Sequence, residues 1–302
     1  MTTIPFVDAH VHLWDLDHIR YPWLTGPFDG TGPNGSAEGI ARDYGVADYR
    51  AELARWNVVG AVHIDAGADA TQALRETEWL EAQAGTHGLP TAIVAFAALD
   101  ARDVDAALAA QAAHDRVRGI RQIVNWHADA QRTYTARDLT IDAAWQAGFA
   151  RLADHGLSFD LQCYPGQMPG LVPLFERHPA VPVIVNHLGM PVMSDPDGLA
   201  DWRRGMAALA ALPHVAVKLS GLGFVWRDWT VERVRPLLLE TIDLFGTDRC
   251  LFASDAPTDR LFAPIDRYME AYHAVTADVA EDERRALFGR NADRIYRLGL
   301  GV

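Results

Sequence analysis

The sequence predicts an α/β protein built as one (β/α)8 TIM barrel, and three observations lead there. Eight short runs of β-branched and apolar residues recur at intervals of about thirty residues. Ala-, Leu- and Arg-rich stretches with helical spacing separate them. The chain has 302 residues, close to what one such barrel with insertions requires. Near-continuous apolar strands alternating with helices indicate a parallel sheet covered on its outside. An open doubly wound sheet is the structural alternative, but it calls for a Gly-rich turn after the first strand, where this chain has His10-Val11-His12-Leu13-Trp14.

The strands are predicted over residues 6–12, 58–65, 91–98, 117–125, 157–163, 181–187, 214–220 and 250–255. Helices are predicted over 70–84, 103–113, 143–155, 202–211 and 231–245. Residues 15–45 break the rhythm. They are rich in Gly, Pro, Asp and Asn and follow the first strand, so they should lie over the C-terminal face of the barrel. The Tyr21-Pro22-Trp23-Leu24 patch is either a cap on a pocket there or part of a surface insertion. A single domain over 1–302 is expected.

Barrel enzymes carry their chemistry at the C-terminal strand ends. Strand one contributes Asp8, His10 and His12, which alternation places on one face. Two imidazoles at i and i+2 can chelate one divalent ion, and neutral imidazole suits zinc. The pair also reads as structural histidines bonded to backbone. Strand six ends in His187, left at the mouth by the Gly189-Met190-Pro191 turn. Strand eight ends in Ser254-Asp255-Ala256-Pro257 after a buried apolar run, so Asp255 needs a partner. That partner is a metal on His10 and His12, or a water it deprotonates. The alternative is a helix N-cap.

Strand four carries Arg121, whose fork suits an anionic or carbonyl-bearing substrate or a structural ion pair. Gln162 and Tyr164 follow strand five, and Lys218 sits inside the Val-Ala-Val-Lys-Leu run of strand seven. Lys218 is expected to pair with Asp255 or to bind substrate. With Gln162, Tyr164 and Trp14 it completes the expected substrate contacts. His63 and Asp65 are weaker candidates at the end of strand two.

Charge and cysteine content exclude several classes. The net charge is −13, which argues against nucleic acid. Cys163 and Cys250 are the only cysteines, too few for a disulfide scaffold or a Cys-rich zinc site, and a reducing cytoplasm is expected. Residues 1–5 show no basic region followed by an apolar one, so no secretory signal is expected. No apolar run approaches membrane-spanning length. The expected partner is a small-molecule substrate, with room for a homo-oligomer.

The chain resembles the amidohydrolase superfamily, within it the branch of metal-dependent barrel hydrolases that includes sugar-lactone and dicarboxylate-lactone hydrolases. The resemblance rests on residues 7–15 and 21–24, Gly119-Ile120-Arg121, Asn186-His187-Leu188-Gly189-Met190-Pro191, Lys218-Leu219-Ser220-Gly221 and Ser254-Asp255-Ala256-Pro257. These run in order through nearly the whole chain. The resemblance implies a distorted barrel with His10, His12 and Asp255 at the site. Asp255 would serve as general base and then proton donor, and His187 as metal ligand or carbonyl polariser. The chain departs from two-metal members. Arg121 and Gln122 stand where a bridging Lys or Glu is found, and Gln162 and Cys163 stand where many members place a histidine. One divalent ion, zinc first, or metal-free catalysis is therefore expected rather than a binuclear centre. The implied activity is hydrolysis of a lactone. The alternatives are a metal-dependent decarboxylase of an aromatic or enol acid, in which Arg121 would hold the carboxylate, and a non-catalytic binding barrel.

Overall fold

The computed structural model describes residues 4–302, so the reading of residues 1–5 as free of a secretory signal falls partly outside them. Eight strands form one parallel sheet in sequential order: β1 Phe6–Val11, β2 Val58–Ile64, β3 Ala92–Phe96, β4 Val117–Arg121, β5 Ser158–Leu161, β6 Val183–Val185, β7 Val215–Leu219 and β8 Cys250–Phe252. All eight lie within the predicted runs. Most of their residues are buried, as expected of strands covered on both faces.

The sheet returns on itself at an irregular seam between β1 and β8. The His12 amide donates to the Ala256 carbonyl at 2.8 Å, and the Asp255 amide donates to the His10 carbonyl at 2.9 Å. The connecting helices are α1 Val46–Glu52, α2 Ala73–His87, α3 Val104–Ala112, α4 Ala143–Arg151, α5 Met168–Arg177, α6 Gly198–Ala210, α7 Leu222–Val225, α8 Val231–Phe245 and α9 Ile265–Val275. Local signals set their ends. The Asp142 side chain accepts from the Ala144 amide at 2.7 Å and starts α4. Gly88, at φ +77°, ends α2 in the left-handed region. The periodicity did not reveal α5, which carries Pro169 in its first turn and Pro173 inside, or α9.

Two apolar layers result. Phe6, Val11, Leu13 and the outward strand residues pack under the helices. Val7, Ala9, Val62, Val94, Ile184, Ala216 and Leu251 fill the barrel, joined from below by Ala292 and Tyr296. The interior is therefore packed rather than open. Among the described residues no helix is long and apolar enough to cross a membrane.

Candidate active site

The seam is where the strand-end residues meet. The β1–β2 register shifts between Asp8 and Val11, and this breaks simple alternation. Asp8, His10 and His12 therefore do not share one face. The Asp8 carboxylate turns to Tyr49 of α1 (2.9 Å) and to Ser254, accepting from its amide (2.9 Å) and hydroxyl (2.5 Å). It straps β1 to β8. His10 and His12 turn to the barrel axis, with their Nε2 atoms 3.1 Å apart.

Asp255 Oδ1 lies 3.3 Å from His12 Nε2 and 3.5 Å from His10 Nε2. Asp255 is 1% exposed, and neither carboxylate oxygen accepts a hydrogen bond from protein. It does not cap a helix. Its φ of +53° is the left-handed region, which Asp tolerates better than most residues. Burial pushes its carboxyl up to about 6 despite the pull of His187, Arg121 and Lys218. His187 joins them through its own left-handed turn, at φ +52°, with Nδ1 3.1 Å from Ser220 Oγ. Gly221 leaves room for it, since a Cβ there would come within 2.6 Å of His187 Cβ.

Burial sets the charge of these rings. It lowers His12 to about 3 and His187 to about 4, and it holds His10 well below its usual range with help from Lys218. All three are neutral at pH 7, the state a metal ligand requires. His12 Nδ1 donates to the Ile64 carbonyl at 2.7 Å, which leaves Nε2 free to point inward. The backbone bond expected of a structural histidine and the inward ligand atom belong to the same ring.

A cavity of about 190 Å³ opens over these groups, lined by His12, Arg121, Gln162, His187 and Asp255, with Trp23, Asn34 and Tyr134 around its rim. Trp23 comes from the 15–45 segment and is tied to the Ala66 carbonyl at 2.8 Å, so that segment forms part of the chamber wall. Arg121 already has protein partners. Nε meets Asp65 Oδ2 at 3.3 Å, Nη1 meets Gln162 Oε1 at 3.1 Å and Nη2 meets the Asp65 carbonyl. It is both the ion pair and the chamber residue that the sequence left open. Asp65, a minor candidate in the sequence, is the counter-ion.

Two expected substrate contacts are corrected. Lys218 is fully buried and pairs with Asp160, not Asp255. Its Nζ also lies 3.3 Å from His10 Nδ1, and the Tyr296 hydroxyl completes the Asp160 contacts at 3.0 Å. Its depth in the barrel keeps substrate away. Trp14 is 1% exposed and donates to the Arg42 carbonyl at 2.6 Å, so its ring backs Trp23 instead of facing the chamber. Gln162 does line the chamber, whereas Tyr164 lines the neighbouring outer cavity. Asn34, Tyr134 and Phe224 gave no signal in the sequence, because the first two reach the chamber from loops and Phe224 from the single turn of α7.

The donor set fits a divalent cation. Ligand atoms of His10, His187 and Asp255 lie within 4.8 Å of one another, and the unpartnered Asp255 oxygens lack the hydrogen bonds that buried carboxylates otherwise require. His12 Nε2 lies 3.3 Å from Asp255 Oδ1 at the edge of this group. Neutral nitrogens with one carboxylate are the donors zinc takes at catalytic sites.

A barrel with these groups at its strand ends defines an enzyme of the amidohydrolase type. The chain belongs to the family described as Amidohydrolase, whose model matches residues 7–298. It is 40% identical over 301 residues to an uncharacterized protein, y4mH, of Sinorhizobium fredii, covering 99% of this chain and all of the other. It is 30% identical to an L-fucono-1,5-lactonase of Burkholderia multivorans, covering 97% and 96% of the two chains. A crystal structure of an amidohydrolase from Burkholderia multivorans with bound Zn superposes with a TM-score of 0.80 at 28% identity, over 97% and 99% of the two chains.

Proposed function

We propose that the chain hydrolyses the ring ester of a small lactone. The observation that carries this reading is the buried Asp255 carboxylate, free of hydrogen bonds and facing a chamber of about 190 Å³ beside Arg121 and His187. The relatives named as L-fucono-1,5-lactonases support the substrate class. Asp255 takes a proton from water, and the resulting hydroxide attacks the lactone carbonyl carbon. Arg121 has used three of its five N–H donors on protein, and the remaining two meet the developing oxyanion. Without an ion on it, His187 donates from Nε2 when the Ser220 hydroxyl donates to its Nδ1; as a ligand through Nε2 it would carry its proton on Nδ1 and donate to Ser220 instead. Asp255 then returns its proton to the leaving ring oxygen, giving the open hydroxy acid.

A divalent ion held by His10, His12, His187 and Asp255 would supply Lewis acidity toward the carbonyl and lower the pKa of a water. For His10 Nε2 to act as ligand, its ring proton must sit on Nδ1, which faces Lys218. Burial lowers Lys218 to about 8, so the ammonium paired with Asp160 predominates at pH 7 and only the minor free-amine form accepts from that N–H.

The decarboxylase alternative uses Arg121 as a free cation for a substrate carboxylate, and the Asp65 carboxylate already faces that guanidinium. A panel of lactones and aromatic acids separates the two reactions. Acid release from lactones at fixed pH is expected. Carbon dioxide release without lactone turnover would sink the hydrolase reading. Substituting Asp255→Asn is expected to lower kcat by about a thousandfold or more.

A further inference from the structure

A second cavity, of about 530 Å³, adjoins the chamber, and Tyr134 and Phe224 line both. Its wall carries three arginines, Arg132, Arg227 and Arg233, against one carboxylate, Asp228. Three arginines on one wall stand out in a chain whose net charge is −13. Two of the arginines are neutralised. Arg132 pairs with Asp129 and Asp195, and Arg233 pairs with Asp228 at 2.9 Å. Arg227 has no carboxylate partner among the described residues. One of its nitrogens donates to the Pro33 carbonyl at 3.3 Å, and its guanidinium lies over the Phe262 ring at 5.4 Å. The aromatic face and that one bond hold the guanidinium plane in place while its other donors stay open.

We propose that this outer cavity binds an acidic group carried by the substrate at the end remote from the scissile ester, with Arg227 as the residue that selects for it. This rests on the lactonase reading and narrows it, from small lactones in general to lactones bearing a carboxylate or a phosphate. The chamber accommodates the reacting ring. The substituent passes Tyr134 and Phe224, and its charge meets the one cation in the outer wall that protein leaves unpaired. A fixed fork of N–H donors on Arg227 recognises either oxyanion.

The test measures kcat/KM for D-glucono-1,5-lactone, its 6-phosphate and the corresponding 6-carboxylate, in wild type, Arg227→Ala and Arg227→Lys. Wild type is expected to prefer one acidic lactone over the neutral one, and the two acidic arms separate phosphate from carboxylate. In Arg227→Ala the acidic-to-neutral ratio should fall by about tenfold to a hundredfold, chiefly through KM, as expected for one charge-assisted contact. Arg227→Lys should recover part of that ratio, and added salt should erode the preference in wild type but not in Arg227→Ala. A ratio unmoved by Arg227→Ala, or a preference for the neutral lactone, overturns the proposal. If no lactone turns over, neither these three nor any of the wider lactone panel, the lactonase reading fails on its own, and calorimetry with glutarate decides the anion site. Binding weakened about tenfold by Arg227→Ala supports it, and equal or absent binding overturns it.

Discussion

Replacing Asp255 by Asn tests the site through stability as well as rate. Burial raises the Asp255 carboxyl from 3.8 to about 6. The folded state therefore binds this proton more tightly than the unfolded state. Below pH 3.8 both states are protonated and burial of the group carries no charge penalty. As pH rises through 6 the folded carboxyl ionises inside the barrel, and the fold loses stability. A shift of about two pKa units corresponds to about 3 kcal/mol of destabilisation above pH 6. Asparagine keeps the shape, removes the charge and tolerates the left-handed φ of +53°. In chelator at pH 7.5 the variant should melt higher than wild type. At about 2 °C per kcal/mol for a chain of this length, the gain is about 6 °C. Near pH 4.5 the gain should shrink. Turnover should be lost at every pH, while wild-type kcat/KM in chelator should fall as pH drops through about 6. Differential scanning calorimetry at a series of pH values reads the stability, and acid release reads the rate. A variant that melts lower than wild type with a gap independent of pH refutes the assignment of an uncompensated buried carboxylate. Retained turnover refutes its role as base.

Other residues separate architecture from chemistry. Lys218→Met leaves Asp160 buried with only the Tyr296 hydroxyl, and urea unfolding should show a loss of about 3–5 kcal/mol. Lys218→Met with Asp160→Leu should recover much of it. Arg121→Gln strands Asp65 and removes the oxyanion donors, so stability should fall and kcat should drop by about a hundredfold or more. Adding Asp65→Asn should restore the fold but not the rate. Gly221→Ala drives a Cβ to 2.6 Å from His187 and forces a φ of +68° on alanine. A loss of at least about tenfold in kcat/KM, with a stability cost of about 1–2 kcal/mol, is expected from steady-state kinetics and melting. Zinc should raise the melting temperature of wild type by mass action, and this rise should vanish in a His10→Ala, His187→Ala double variant.

Much of the barrel was legible because strand and helix periodicity are local. Every predicted strand contains an observed one, and the HxH pair, His187 and Asp255 could be collected once strand ends were treated as the mouth. Helix α5 was hidden by its prolines, Asn34 and Tyr134 lie on loops whose course no local pattern encodes, and Phe224 lies on α7, a single turn too short to show a period. Trp14 and Lys218 show the limit from the other side. Both are polar-tipped residues near motif positions, yet one bonds a loop carbonyl and the other an aspartate deep in the barrel.

Sequence alone determined which residues could reach the catalytic end, since that needs only strand direction and the position of each residue along its strand. It placed His10, His12, His187 and Asp255 there. Which of them meet, and which cations are already spent, was decided by closure. The β1–β8 seam brings His12 to 3.3 Å from a carboxylate at position 255, and the register shift in β1 turns Asp8 away to Ser254. Lys218 lies 58 residues from Asp160 and Arg121 lies 56 from Asp65. The physical reason is that a charged side chain takes the partner at its own depth and angle about the barrel axis. Those two coordinates exist only once all eight strands have paired.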